Sequence, residues 1–132
     1  MIGLDTNVLV RYLVQDEPAQ SAAASSVVDA LTEDDPGFLS LVTVMELYWV
    51  LRGAYKLSAE RCTAVVGALL EARELRVDQE SVVRFALAAT RGGLDFADAL
   101  IADLGRAAGC AYSVTFDLRA AELDQMRLLT AG

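Results

Sequence analysis

Five short runs of this chain are largely apolar, namely Ile2-Gly3-Leu4, Phe38 to Leu41, Leu75-Arg76-Val77, Ala111 to Thr115 and Met126 to Leu129, and segments of helical spacing separate them. A strand with one wet face alternates polar and apolar side chains, whereas a strand apolar on both faces belongs in a sheet covered on both sides. Such strands alternating with helices predict a parallel sheet buried between helical layers, a three-layer α/β sandwich. In sheets of that kind ligands bind beyond the carboxyl ends of the strands. Asp5 and Asp117 both follow such ends.

The punctuation agrees with this alternation. Asp5-Thr6-Asn7 reads as a cap for a helix through Val8 to Leu13, and Pro18 opens an alanine-rich helix from about Ala19 to Leu31. The acidic turn Glu33 to Gly37 ends it. Thr43 is a candidate cap for a helix reaching Ala54, Ser58 begins one reaching Ala72, and Gln79 to Thr90 is helical again. Gly92-Gly93 is the clearest break; Asp95-Phe96-Ala97-Asp98 has the form of a capping box for a helix from Phe96 to Ala108, with Gly109 as its stop. A short turn or helix covers Leu118 to Glu122.

With 132 residues, 55% of them hydrophobic and only two prolines, the expectation is a single domain, 1–132, folded almost end to end. The longest weakly charged run, Phe38 to Leu51, contains Glu46 and falls short of the roughly 20 residues that span a bilayer. The first residues lack a basic region and turn acidic at Asp5, so a cytoplasmic protein without membrane contact is expected. Cys62 and Cys110 lie in alanine-rich surroundings and read as buried, reduced thiols.

The chain has no histidine, which excludes histidine-based acid–base catalysis, Ser-His triads and nearly every zinc site. Its net charge of −8 argues against a broad basic surface that tracks phosphates. A bound divalent ion removes that objection, because it supplies the positive charge a phosphodiester needs.

Most of the 19 acids lie in turns or on exposed faces, where solvation explains them. Glu46 differs, being the only charge between Leu41 and Leu51, on a helical face with Val42 and Val50 and close to Trp49. Burying it requires a partner, either a cation or an ion pair with Arg52 or Arg11. Asp5, Asp95, Asp98 and Asp117 each fit a helix-capping role as well as a ligand role. Together, however, Asp5, Glu46, Asp98 and Asp117 can converge at one sheet edge. Each close pair at about 4 Å and an effective dielectric near 20 repels by about 4 kcal/mol, so a cation must offset them. Ligands that offer only oxygen select a hard ion, Mg²⁺ or Mn²⁺.

The segments Leu4-Asp5-Thr6-Asn7-Val8-Leu9, Thr43-Val44-Met45-Glu46-Leu47, Asp95-Phe96-Ala97-Asp98-Ala99-Leu100-Ile101-Ala102 and Thr115-Phe116-Asp117, in this order and spacing, resemble the PIN domain, and specifically the VapC-like toxins of bacterial type II toxin–antitoxin pairs. The resemblance covers nearly the whole chain. It implies a five-stranded parallel sheet flanked by helices and Mg²⁺- or Mn²⁺-dependent endonucleolytic cleavage of RNA that leaves a 5′-phosphate. The family acids fall on Asp5, Glu46, Asp98 and Asp117. Metal binding is carried by Asp5, Asp98 and Asp117, with Glu46 completing the shell. Thr6 and Asn7 are expected to orient Asp5, Thr115 to support a carboxylate or metal-bound water, and Asp95 to serve as an auxiliary acid. Arg11 and Arg119 are the nearest cations in sequence for phosphate oxygens. The resemblance also implies a cognate antitoxin with a basic tail and a homodimer or toxin–antitoxin hetero-oligomer, formed partly through Tyr48, Trp49 and Tyr55.

Two rivals stand beside this reading. A phosphoaspartyl hydrolase needs a second aspartate two residues after the first and a lysine at a strand end; Asn7 and the placement of the only lysine, Lys56, speak against it. A catalytically inactive PIN-like module that only binds RNA or protein has no need for four mutually repelling carboxylates.

Overall fold

Every strand is two or three residues long and every ladder is parallel in the computed structural model, which describes residues 1–131. The chain divides into two compact units, Met1–Gln79 and Glu80–Gly132.

The first unit runs β1 (Ile2–Gly3), α1 (Thr6–Val14), α2 (Pro18–Asp29), β2 (Gly37–Leu39), α3 (Leu41–Gly53), α4 (Ala59–Glu71) and β3 (Leu75–Val77). Its sheet has the order β1-β2-β3, with Ile2 opposite Gly37 and Leu39 opposite Val77. Gly37 leaves room for its neighbours: an added Cβ would lie 2.9 Å from Leu31 Cδ1 and 3.0 Å from Leu4 Cδ1, so the two leucines would have to shift. Leu39, Val44, Leu47, Leu51, Cys62 and Val66 form its buried core.

Side chains just before the helices start them by accepting bonds from orphan backbone N–H groups. Asp5 caps α1, Ser58 caps α4, and Glu17 accepts from Gln20 N at 2.6 Å just before Pro18. The cap of α3 is Ser40, whose Oγ accepts from Thr43 N at 3.1 Å, and not Thr43. The helix therefore starts at Leu41, and β2 ends two residues before the expected Leu41. That shift turns Val42 outward, at 69% exposure, and buries Val44, Leu47, Tyr48 and Leu51.

The second unit comprises α5 (Glu80–Arg91), α6 (Phe96–Ala107), β4 (Ser113–Thr115), a 3-10 turn (Ala120–Glu122) and β5 (Met126–Leu128). α5 and α6 pack together around Val82, Val83, Ala86, Leu87, Phe96, Ala99 and Leu100. Gly93, at φ +94°, makes the turn between them. β4 and β5 pair in register, Ser113 with Met126 and Thr115 with Leu128.

All five expected strands are present, but among the described residues they hydrogen-bond as a three-stranded and a two-stranded sheet, not as one sheet of five. The strands are only two or three residues long, and runs that short state that a strand exists without stating how many neighbours it pairs with. Cys62 is buried as expected; Cys110 is exposed, because β4 begins at Ser113 and Cys110 lies in the connection before it. Among the described residues no helix is long and apolar enough to cross a membrane.

The orientation of α3 is testable. Leu47→Ala, which empties a fully buried position on α3, is expected to lower the free energy of unfolding by about 2–5 kcal/mol through the cavity it leaves. Val42→Ala should change it by less than about 0.5 kcal/mol. Urea unfolding followed by circular dichroism checks both, and comparable losses in the two variants would show that α3 buries its other face.

Candidate metal centre

Asp5 and Glu46 belong to the first unit, Asp95, Asp98 and Asp117 to the second. In the first, Asp5 closes β1 and caps α1: its Oδ1 accepts from Thr6 N at 2.9 Å. Thr6 is buried, and its hydroxyl donates to Glu46 Oε1 at 3.1 Å. One residue thus connects both acids, holding Asp5 through its backbone and Glu46 through its side chain. The first role was expected of Thr6; the second was not.

Glu46 corrects the expectation of a buried carboxylate. It is exposed on the side of α3 that carries Val42 and Trp49, because Leu47, Tyr48 and Leu51 take the inward face. Neither arginine weighed as its ion-pair partner bonds it. Arg52 donates to Leu57 O at 3.0 Å. Arg11 donates to Gln20 Oε1 at 2.8 Å and to Asp16 Oδ1 at 3.1 Å, so its guanidinium is engaged by protein acceptors around the α1–α2 connection. Tyr55 also donates to Asp16, and that bond, ahead of the Arg11 charge, holds the Asp16 carboxyl below its usual range. Asn7 is exposed and makes no hydrogen bond to Asp5 among the described residues. It lines a cavity of about 570 Å³ with Leu4, Val8 and Arg11.

In the second unit Asp95 caps α6, its Oδ2 accepting from Asp98 N at 3.0 Å. Asp98, half-buried in the first turn, has its carboxyl pushed above the usual range by burial first, then by the charges of Asp95 and Asp117. Asp117 follows β4. Its Oδ1 accepts from Arg119 N at 2.8 Å and Ala120 N at 3.2 Å, starting the 3-10 turn. The Thr115 hydroxyl accepts from Asp117 N at 3.0 Å, so Thr115 steadies the backbone of that acid; the expected bond to a carboxylate is not made. Arg119 is likewise committed, through Nη2 to Gly93 O at 2.7 Å and Nη1 to Glu122 Oε2 at 3.0 Å.

Sequence reasoning missed Asp103, the most buried acid, at 4% exposure. It is neutralised by Arg106 Nε at 2.7 Å. The signal was present in the i, i+3 spacing of these two residues on a helix whose neighbours Ala99, Leu100 and Ala102 are apolar.

A pattern runs through the candidate acids. In Asp5, Glu46, Asp95 and Asp117 one carboxylate oxygen is anchored by a hydrogen bond, and the other accepts none among the described residues. Anchoring fixes the direction of the remaining oxygen, as a metal ligand requires. The donor set, all oxygen and without histidine, fits a hard divalent ion, and the charge that Asp95 and Asp117 place on Asp98 is the kind such an ion relieves. Among the described residues no three of these side chains are gathered closely enough to enclose one.

Comparison with curated proteins found no significant match. The family model described as PIN domain matches residues 2–126, a span that contains every one of these carboxylates. PIN domains are typically nucleases, hydrolases that generally use divalent metals, and carboxylates at strand ends are the chemistry such enzymes need. By that match over most of its length, the chain belongs to the PIN domain family.

Proposed function

We propose that this chain is a metal-dependent endoribonuclease of the VapC-like kind, the toxin of a toxin–antitoxin pair acting in the cytoplasm. The observation that most supports the reading is the setting of Asp98, whose charge is disfavoured by burial first and then by Asp95 and Asp117, at a position the resemblance gives to a ligand. Asp5, Asp98 and Asp117 would hold Mg²⁺ or Mn²⁺, with Glu46 completing the shell. When bound, such an ion lowers the pKa of a coordinated water and offsets charge on the scissile phosphate. The chain's own residues do the positioning. Thr6 presents Asp5 and Glu46 in fixed orientations, Asp95 holds the first turn of α6 beneath Asp98, and the backbone of the 3-10 turn directs Asp117.

The partners follow from charge and exposure. A net charge of −8 favours a basic antitoxin segment. Of the three aromatics, Tyr48 is buried and Tyr55 serves Asp16, so Trp49, at 61% exposure beside Val42, is the residue left to support a homodimer. A second reading, a PIN-like module that binds RNA or protein without cutting, is favoured by one observation: the described acids do not enclose an ion-sized site.

Incubating the protein with total RNA and Mn²⁺ or Mg²⁺ separates the readings. Cleavage that leaves 5′-phosphate ends, stops with EDTA and falls at least about 100-fold in Asp5→Ala and Asp117→Asn is expected. Equal cleavage by wild type and variants, or none with any metal, supports the binding module. The metal-free protein offers a second check. Because the folded-state pKa of Asp98 lies above its unfolded value near 3.8, ionising it costs stability at neutral pH, and that cost vanishes as pH falls below the unfolded value. Asp98→Asn is therefore expected to unfold at a higher temperature than wild type near neutral pH, with the gap closing in acid. A gap of the opposite sign would refute that setting of Asp98.

A further inference from the structure

Arg119 joins two turns that each carry a candidate acid. Its Nη2 donates to Gly93 O at 2.7 Å, two residues before Asp95, and its backbone N donates to Asp117 Oδ1 at 2.8 Å. Nη1 pairs with Glu122 Oε2 at 3.0 Å, which fixes the guanidinium plane over the 3-10 turn. Gly93 suits this contact in two ways. Its φ of +94° is one that L side chains rarely adopt, and a Cβ there would lie only 3.3 Å from Nη2. The turn itself is closed by Gly93 N on Thr90 O at 2.9 Å and Leu94 N on Ala89 O at 3.0 Å, so the carbonyl offered to Arg119 is rigidly presented.

We propose that Arg119 is a positioning residue: its guanidinium clamps the Gly93 turn, which leads into the Asp95 cap of α6, to the turn that begins at Asp117, and so fixes the backbone from which these two carboxylates project. The proposal rests on the metal-dependent reading above and gives that site a residue which acts through its neighbours. A planar fork that donates from two separate nitrogens does this and a lysine ammonium does not, because the ammonium is a single point charge. Charge alone would draw Asp95, Asp98 and Asp117 inward equally well from many places. The two directed bonds are what select one arrangement.

The test compares wild type, Arg119→Ala, Arg119→Lys and Asp98→Asn in two assays: amide hydrogen exchange of the metal-free protein, and thermal unfolding titrated with Mn²⁺. For Arg119→Ala the expected result is faster exchange in residues 93–95 and 117–120. The Mn²⁺ midpoint should rise about 10-fold or more, the usual cost of losing a residue that orients a ligand. Its metal-free melting temperature should fall by no more than about 4 °C, since the pair is exposed. Arg119→Lys, which keeps the charge, should recover only part of the Mn²⁺ response and serves as the readout if Arg119→Ala proves unstable. Wild-type exchange and an unchanged Mn²⁺ midpoint in Arg119→Ala, or full recovery by lysine, would overturn the clamp. An unchanged midpoint in Asp98→Asn overturns instead the metal reading on which the clamp rests.

Discussion

Backbone N–H groups at the start of a helix have no partner within it, and in a parallel α/β chain nearly every strand runs directly into such a start. This single constraint puts polar acceptors at the carboxyl ends of the strands. Ser40 satisfies it after β2, and carboxylates do so elsewhere: Asp5 after β1, Asp95 before α6 and Asp117 after β4. A carboxylate has a second oxygen that a serine lacks. Capping consumes one and aims the other, so a capping bond is compatible with a ligand role for the same side chain.

How much was legible follows from which physical signals are local. The alternation of apolar runs with helical spacing located β3 at Leu75–Val77 and the Gly92-Gly93 turn without error, because each depends on neighbours in the chain. Asp5 and Asp95 as caps were equally readable. The cap of α3 was misplaced by three residues, since Ser40 and Thr43 are both good acceptors and the backbone decides between them. That small error reversed the inferred setting of Glu46: with Leu47, Tyr48 and Leu51 inward, Glu46, Val42 and Trp49 face out. Partners distant in sequence were not legible. The bond from Thr6 to Glu46 spans 40 residues, and those committing Arg11 to Tyr55 and Arg119 to Gly93 span 44 and 26. Strand pairing failed for the same reason, because runs of two or three residues state that a strand exists and not how many neighbours it has.

The fate of the arginines carries a more general point about an acidic chain with no histidine. The two arginines nearest the candidate acids in sequence, Arg11 and Arg119, each pair with a protein carboxylate, as Arg106 does with Asp103. The arithmetic makes this unsurprising, for 19 acids share 11 basic residues. Any cation near such a cluster gains more from an acid already beside it than from solvent, provided the geometry is short and directed.

PIN domains generally use divalent metals, and such an ion is one source of positive charge for a site this acidic. Asp98 shows the cost of waiting for that charge: half-buried and facing two like-charged neighbours, it is held at a position where ionisation is disfavoured. Ordinary hydrogen bonds surround it: Asp95 accepts from its backbone, Thr115 and the 3-10 turn bond Asp117, and Arg119 bonds the turn before Asp95. Local hydrogen bonds of modest individual strength thus hold an arrangement that electrostatics alone would disperse. An ion entering it would meet carboxylates already constrained, with less conformational freedom left to lose on binding.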